Sequence, residues 1–462
     1  VLRHLGTKPL WRDEAISLSV AVRPATRILA ILPHHDANAS LYYLLLHAWL
    51  RLGIGHGPAA ARGLSATCFV ATAALASRAA NRWWGWEAGV ACGLLVALNP
   101  FLLYYGQEAR PYALAVLLAA VSTVALLWRP DGAAPKVYTA ATVALVYADL
   151  FAVLYVVAVA AVVVASYRHR HKPLRRGLIR SWGVIAAATA PLALLMTVFE
   201  RGQIGWLPPP SVQKLRDTVT AMTSSWLGLE VVVVLAAVAL IAARSGRDRT
   251  LVTAMAVAFA GPPLVLWSFS QVAPAYVDRY VICSTLAVVV LATAGLDALR
   301  RVAHAAVAVA VLAGLLVLGG RRIATIEARP YKVENAPAVV AFIAARDQPG
   351  DVIGYAGGGM RILIESAQAA AAGRPFPSDI ALAPGGEEFL QPDLYAKEVS
   401  PGVLLSRLGT VRRIWLLTNR SDNRYPLLGP FAAARSQVES RFHAEATTSF
   451  GTMDITLLVR QP

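Results

Sequence analysis

Apolar residues run along this chain in blocks and do not alternate with polar ones. Stretches free of Asp, Glu, Lys and Arg occupy residues 88 to 107, 111 to 128, 150 to 167, 181 to 199, 250 to 277, 280 to 296 and 302 to 320. Most approach the roughly 20 residues that a helix needs to cross a hydrocarbon core. Shorter or interrupted blocks at 62 to 77, 137 to 148 and 229 to 243 bring the expectation to about ten spans. Helix is the expected form, because an open strand in lipid would leave its backbone groups unpaired. After Gly320 the pattern changes to ordinary charge density with Pro and Gly turns. There, 351 to 356, 413 to 418 and 452 to 459 read as short strands, and 336 to 346, 361 to 372 and 431 to 442 as helices. The pattern predicts a polytopic α-helical membrane domain over residues 1–320, with an outer loop of interfacial helices at 11–53. A small extracytoplasmic α/β domain follows over 321–462.

Basic loops set the orientation. Taking every second loop puts Arg78 and Arg82, Arg129 and Lys136, Arg168 to Arg180, Arg244 to Arg249, and Arg300 and Arg301 on one side. That side is expected to be cytoplasmic. The loops 11 to 40, 107 to 112, 200 to 216 and 271 to 280 then face outward. The alternation holds only if the apolar stretch 41 to 52 lies in the outer interface without spanning. It also calls for a membrane helix before Val1.

Composition narrows the class. Hydrophobic residues make up 57% and charged ones 15% of the chain, against about 45–50% and about 25% in soluble domains. The formal charge of +16 falls between apolar blocks, which argues against a nucleic-acid binder. Cys68, Cys92 and Cys283 lie inside apolar blocks without CxxC spacing, which argues against a disulfide framework or zinc site. The Ala/Val/Arg bias suits a high-GC bacterium and a multi-pass plasma-membrane protein.

Charged residues on the outer loops are the places to look for chemistry. Trp11-Arg12-Asp13-Glu14 puts two adjacent carboxylates at the start of an amphipathic stretch. Helical neighbours point about 100° apart, so the two cannot easily share one task. One can serve as a general base while the other caps, orients or holds a cation; the plain alternative is an acidic helix start. Tyr104 to Tyr112 forms an aromatic turn holding Glu108 and Arg110, whose guanidinium suits phosphate or carboxylate. Asp278-Arg279-Tyr280 begins another outer helix. For both, an aromatic interface belt is the alternative. His34, His35 and Asp36 are a weaker divalent-ion candidate, and Asp149 reads as a turn residue. Gly354 to Gly359 follows a strand but lacks GxGxxG and the Walker lysine, so it too reads as a turn.

Taken in order, these segments resemble the GT-C superfamily of membrane glycosyltransferases, in its family 39 or lipid A aminoarabinose transferase-like branch. The matching pieces are Asp13-Glu14, the run from Asp36 through Tyr42 to His47 with Trp49, and Ala61-Arg62-Gly63-Leu64-Ser65. Tyr104 to Tyr112 and Arg279-Tyr280 continue the match, which covers roughly residues 10 to 300. One departure is Asn38-Ala39-Ser40, where many relatives have His-Pro-Pro.

The resemblance implies an inverting transferase that moves a sugar, mannose or arabinose, from a polyprenyl phosphate to a cell-envelope glycan, lipid or protein. Asp13 would be the general base, with Arg110 or Arg279 stabilising the leaving phosphate. Tyr42, Glu14, Glu108, Tyr112 and Tyr280 would complete substrate binding. Glu14 could instead hold a divalent cation such as Mg or Mn. The rival classes are a polymerase or ligase of lipid-linked glycans, a transporter, and a membrane scaffold without transfer activity.

Overall fold

The computed structural model describes residues 5–32, 36–128, 134–167, 172–198, 207–243, 246–356, 360–370, 376–387, 396–420 and 429–461. Three short helices open the chain: α1 (Arg12–Ala21), α2 (Ala25–Ile31) and α3 (Ser40–Leu50). The helical series continues with α4 (Pro58–Trp84), α5 (Trp86–Ala97), α6 (Pro100–Gly106), α7 (Tyr112–Trp128), α8 (Ala134–Ala148) and α9 (Val153–Tyr167). It closes with α10 (Lys172–Val198), α11 (Val212–Met222), α12 (Trp226–Ala242), α13 (Gly246–Phe269), α14 (Ser284–Val302) and α15 (Ala305–Glu327). The remainder is α16 (Ala336–Ala344), β1 (Val352–Ala356), α17 (Met360–Ala370), β2 (Ser378–Asp379), α18 (Pro401–Arg407), β3 (Arg413–Asn419), α19 (Pro430–Ala433), α20 (Arg435–Glu439), β4 (Phe442–Phe450) and β5 (Met453–Arg460).

The chain forms two compact units. Of the described residues, one comprises those within Asp36–Tyr42 and Arg62–Ala328; the other comprises those within 5–32, Tyr43–Ala61 and 329–461. The boundary expected after residue 320 thus falls inside α15, and α1 groups with the C-terminal residues.

In the helical unit, each of the ten apolar blocks coincides for most of its length with a helix or a bent pair of helices. Among the described residues, four helices are long and apolar enough to cross a membrane: α4, Arg176–Met196 of α10, α13 and α15. The count reaches six if each of two bent pairs, α5 with α6 and α11 with α12, is one broken span rather than a re-entrant loop. Tyr112–Leu127 and Leu150–Ser166 are shorter apolar helices. α3 has 11 residues, about 16 Å of helix, so it is too short to span, as the alternation of loops requires.

Block 88 to 107 is not one straight helix, because it bends by 61° between α5 and α6. Asn99 caps α6 by accepting from the Phe101 and Leu102 amides, and Pro100 sits at the first helical position, where its missing N–H costs nothing. The Asn99 side-chain amide also donates to the Met222 carbonyl across the core at 2.9 Å. A second repair lies on α13, where Pro262 removes the N–H that would pair with the Ala258 carbonyl. The Ser284 hydroxyl donates to that carbonyl at 2.7 Å.

Loops that the basic pattern assigns to one side meet in the structure. The Trp83 indole donates to Asp248 at 2.9 Å, Arg247 lies 4.2 Å from the Trp83 ring centroid, and Arg300 pairs with Glu87 at 3.1 Å. Outward apolar side chains such as Ile241, Leu194 and Val309, at 87%, 63% and 65% exposure, fit a lipid phase.

The second unit carries a five-stranded sheet of order β2-β1-β3-β5-β4. β1, β2 and β3 are parallel; β5 runs antiparallel to β3 and β4. β1 is buried along its whole length, as a central strand covered on both faces must be. Ile353 and Tyr355 pack with α16 and α17, and Val352 packs with α18 and α19 residues Leu404 and Phe431. Gly354 is needed there, since a Cβ would stand 2.3 Å from the Phe431 ring. The expected strands at 351 to 356, 413 to 418 and 452 to 459 are β1, β3 and β5. The helix expected over 431 to 442 is two short ones, α19 and α20.

In the helical unit, a Cβ on Gly295 of α14 would lie 2.4 Å from the Leu235 carbonyl of α12. Backbone, which cannot swing aside, blocks it. Gly295→Ala is expected to destabilise the protein by about 1–3 kcal/mol, read as a lower Tm in detergent.

Candidate active site

The site in the helical unit is assembled from four segments that are remote in sequence. The turn between α6 and α7 is closed by the Arg110 amide donating to the Glu108 carbonyl at 2.8 Å. It buries Glu108 completely and leaves the Arg110 side chain 11% exposed. The second segment begins at Asp36, whose φ of 53° is left-handed, a conformation that Asp tolerates better than most residues. Its carboxylate stands 3.7 Å from the Arg110 guanidinium. The third is a single turn of 3-10 helix, Asp278–Val281, where Asp278 accepts from the Arg279 amide at 3.0 Å. The fourth is Asp149 with Leu150–Ala152.

Aromatic rings hold these pieces together. The guanidinium carbons of Arg110 and of Arg279 each lie 5.9 Å from the Tyr112 ring centroid, so one ring collects both cations. Arg279 is also 5.8 Å from the Tyr280 ring. Tyr280 stacks on Phe151 at 4.4 Å and 12°, which ties the third segment to the fourth. Tyr42 is buried, and its hydroxyl meets Ser65 at 3.0 Å; Ser65 donates to the Arg110 carbonyl at 3.1 Å. Tyr42 therefore supports the backbone that carries Arg110.

Asp149 sits at the capping position, accepting from the Phe151 amide at 3.0 Å through one oxygen. The other oxygen is buried without a hydrogen bond. Burial pushes this carboxyl up to about 7, opposed by the Phe151 and Ala152 amides and by the charges of Arg279 and Arg110. The sequence reads Asp149 as a turn residue, and the structure adds it to the site. Its signal is that it alone carries charge between two apolar blocks.

In the other unit, Asp13 and Glu14 occupy the first turn of α1 and point to different surroundings. Glu14 is fully buried, 3.7 Å from Lys332, and accepts from the Trp11 amide at 3.4 Å. Asp13 is partly exposed. Lys332 and Glu334 escape sequence reasoning because they read as ordinary linker charges. His34, His35 and Gly357 to Gly359 lie outside the described residues. Among the described residues, no three His, Cys, Asp or Glu side chains come together as a metal site.

No protein-family profile and no curated protein sequence matches this chain. Solved structures do. The apo structure of ArnT from Cupriavidus metallidurans aligns over 98% of this chain and 94% of its own, with a TM-score of 0.57 and 12% identity. ArnT bound to undecaprenyl phosphate gives 0.58 and 13%, over 98% and 95%. The chain has the ArnT fold. At this identity the likeness concerns fold alone, and it is the fold that the sequence resemblance implied. A mycobacterial arabinofuranosyltransferase, AftD, aligns over 99% of this chain and 42% of its own at a TM-score of 0.46 and 14% identity.

The raised Asp149 pKa has a stability consequence. The folded state holds its proton up to about pH 7, whereas an unfolded Asp releases it near the ordinary value of 3.8. Between these values the folded state binds more protons, so stability falls as pH rises through this window. Asp149→Asn removes the dependence. The Tm of the variant relative to wild type is expected to be more favourable at pH 8 than at pH 5.

Proposed function

We propose that this protein is an inverting glycosyltransferase that takes a sugar from a polyprenyl phosphate at the outer face of the plasma membrane. The acceptor is a cell-envelope glycan, lipid or protein. The observation that carries this reading is the gathering of Arg110 and Arg279 on Tyr112. Arginine keeps its charge when partly desolvated and grips phosphate oxygens with two parallel hydrogen bonds. That ArnT, which shares this fold, has a structure bound to undecaprenyl phosphate supports the reading.

The acceptor hydroxyl loses its proton to Asp13 as its oxygen attacks the anomeric carbon. The bond from that carbon to the lipid phosphate oxygen breaks, and the electron pair stays on the phosphate. Arg110 and Arg279 stabilise the charge that develops there. The products are the glycosylated acceptor with inverted configuration, the polyprenyl phosphate, and a protonated Asp13 that returns its proton to solvent. Asp13 is assigned as base on the sequence resemblance. Its partial exposure suits exchange with an incoming hydroxyl, and the burial of Glu14 against Lys332 suits a supporting role for that carboxylate. Decaprenyl phosphates of arabinose and mannose are the donors to try first.

Asp13→Asn keeps the size but cannot take a proton at neutral pH, so transfer is expected to fall by about 10² to 10⁴ with donor affinity unchanged. Radiolabelled donor with envelope membranes as acceptor gives the measurement. Activity within a few fold of wild type would favour the scaffold or ligase class.

Arg110→Ala and Arg279→Ala are expected to weaken decaprenyl phosphate binding by about 10- to 100-fold in nanodiscs. Lysine at either position keeps the charge and loses the fork, giving intermediate affinity. Unchanged affinity in both alanine variants would place the phosphate elsewhere.

A further inference from the structure

The first turn of α1 gets no cap from the side chain of its N-cap residue. Trp11 occupies the capping position and has no side-chain oxygen to offer the exposed amides. The missing acceptors come from carboxylates. Glu334, from the segment just before α16, accepts from the Arg12 amide at 3.1 Å, and Glu14 accepts from the Trp11 amide. Negative charge at this end also suits the helix dipole.

Glu334 is itself fixed. It is 1% exposed, its backbone bridges to Gly451 between β4 and β5, and its second oxygen meets the Asn419 amide at the end of β3 at 3.5 Å. Two residues earlier, Lys332 stands 3.7 Å from Glu14, both side chains at 5% exposure or less. One residue beyond Glu14, Ala15 is buried with Val339 and Ile343 of α16, Trp415 of β3 and Met453 of β5. The turn bearing Asp13 is thus fastened to the sheet domain by a carboxylate cap, an ion pair and a core contact. Because Glu14 is turned inward to Lys332, Asp13, its neighbour on the helix, is directed about 100° away from it.

We propose that Glu334 and Lys332 are positioning residues for Asp13, so that the sheet domain sets the direction of the base. This rests on the reading of Asp13 as the general base. Misplacing a reacting group by an ångström is enough to cost a large rate factor, and the expectation is that donor binding does not change with Glu334.

The test uses the full chain in nanodiscs. Hydrogen exchange of the amides from Trp11 to Glu14 is expected to speed up by about tenfold in Glu334→Ala and in Lys332→Met, with β3 and β5 unchanged. With whichever of decaprenyl phosphoarabinose and phosphomannose the wild type uses, kcat is expected to fall by about tenfold or more with donor KM within twofold. Placed on Asp13→Asn, Glu334→Ala is expected to cause no further loss, because its effect passes through Asp13. If Glu334→Ala also loosens β3 and β5, Lys332→Met, which leaves Glu334 in place, is read alone for exchange and kcat. Unchanged exchange and kcat, or an equal loss in both backgrounds, would overturn the positioning role while leaving the base reading intact. Wild-type turnover in Asp13→Asn would overturn both.

Discussion

Two guanidinium groups of like charge gathered on one tyrosine ring are the arrangement on which the site depends. Left alone they would repel, and at low dielectric the repulsion would be severe. The Tyr112 ring offsets part of this, each contact at about 6 Å contributing on the order of 0.5–2 kcal/mol. Asp36 lies against Arg110, and Asp149 feels both charges. The carboxylates are spread over separate segments, so the pair is held from several directions. The aromatic stack of Phe151 on Tyr280 and the path from Tyr42 through Ser65 to the Arg110 carbonyl hold the backbone that carries it.

Much of this was legible in the sequence because lipid imposes a coarse grammar. The apolar blocks mark where the long helices lie, and residues from basic loops assigned to one side, Trp83, Asp248, Arg247, Glu87 and Arg300, meet in the structure. What the blocks hide are their breaks. Asn99-Pro100 interrupts block 88 to 107 by a capping amide and a missing N–H, a local signal that hydropathy averages away. In the sheet domain, β1, β3 and β5 stand out by their buried apolar residues. β2 is two residues long, and β4 is an edge strand exposed from His443 to Thr447, so neither leaves an apolar pattern.

For the site, the named residues divide by physical type. Arg110, Tyr112, Arg279 and Tyr280 are visible as charges and rings beside apolar blocks, and the structure brings them together. Asp149 looks like a turn because a capping carboxylate and a site carboxylate have the same sequence signature; only burial separates them. Lys332 and Glu334 meet α1 across more than three hundred residues. No local pattern encodes that pairing. The helical unit carries Arg110 and Arg279, and the sheet unit carries the first turn of α1.

The central claim is that the arginine pair is a phosphate site. A cryo-electron microscopy map of the protein in nanodiscs with decaprenyl phosphate tests it most directly. Phosphate density is expected within hydrogen-bonding distance of both the Arg110 and the Arg279 guanidinium groups, beside Tyr112. A headgroup bound away from both arginines would contradict the claim.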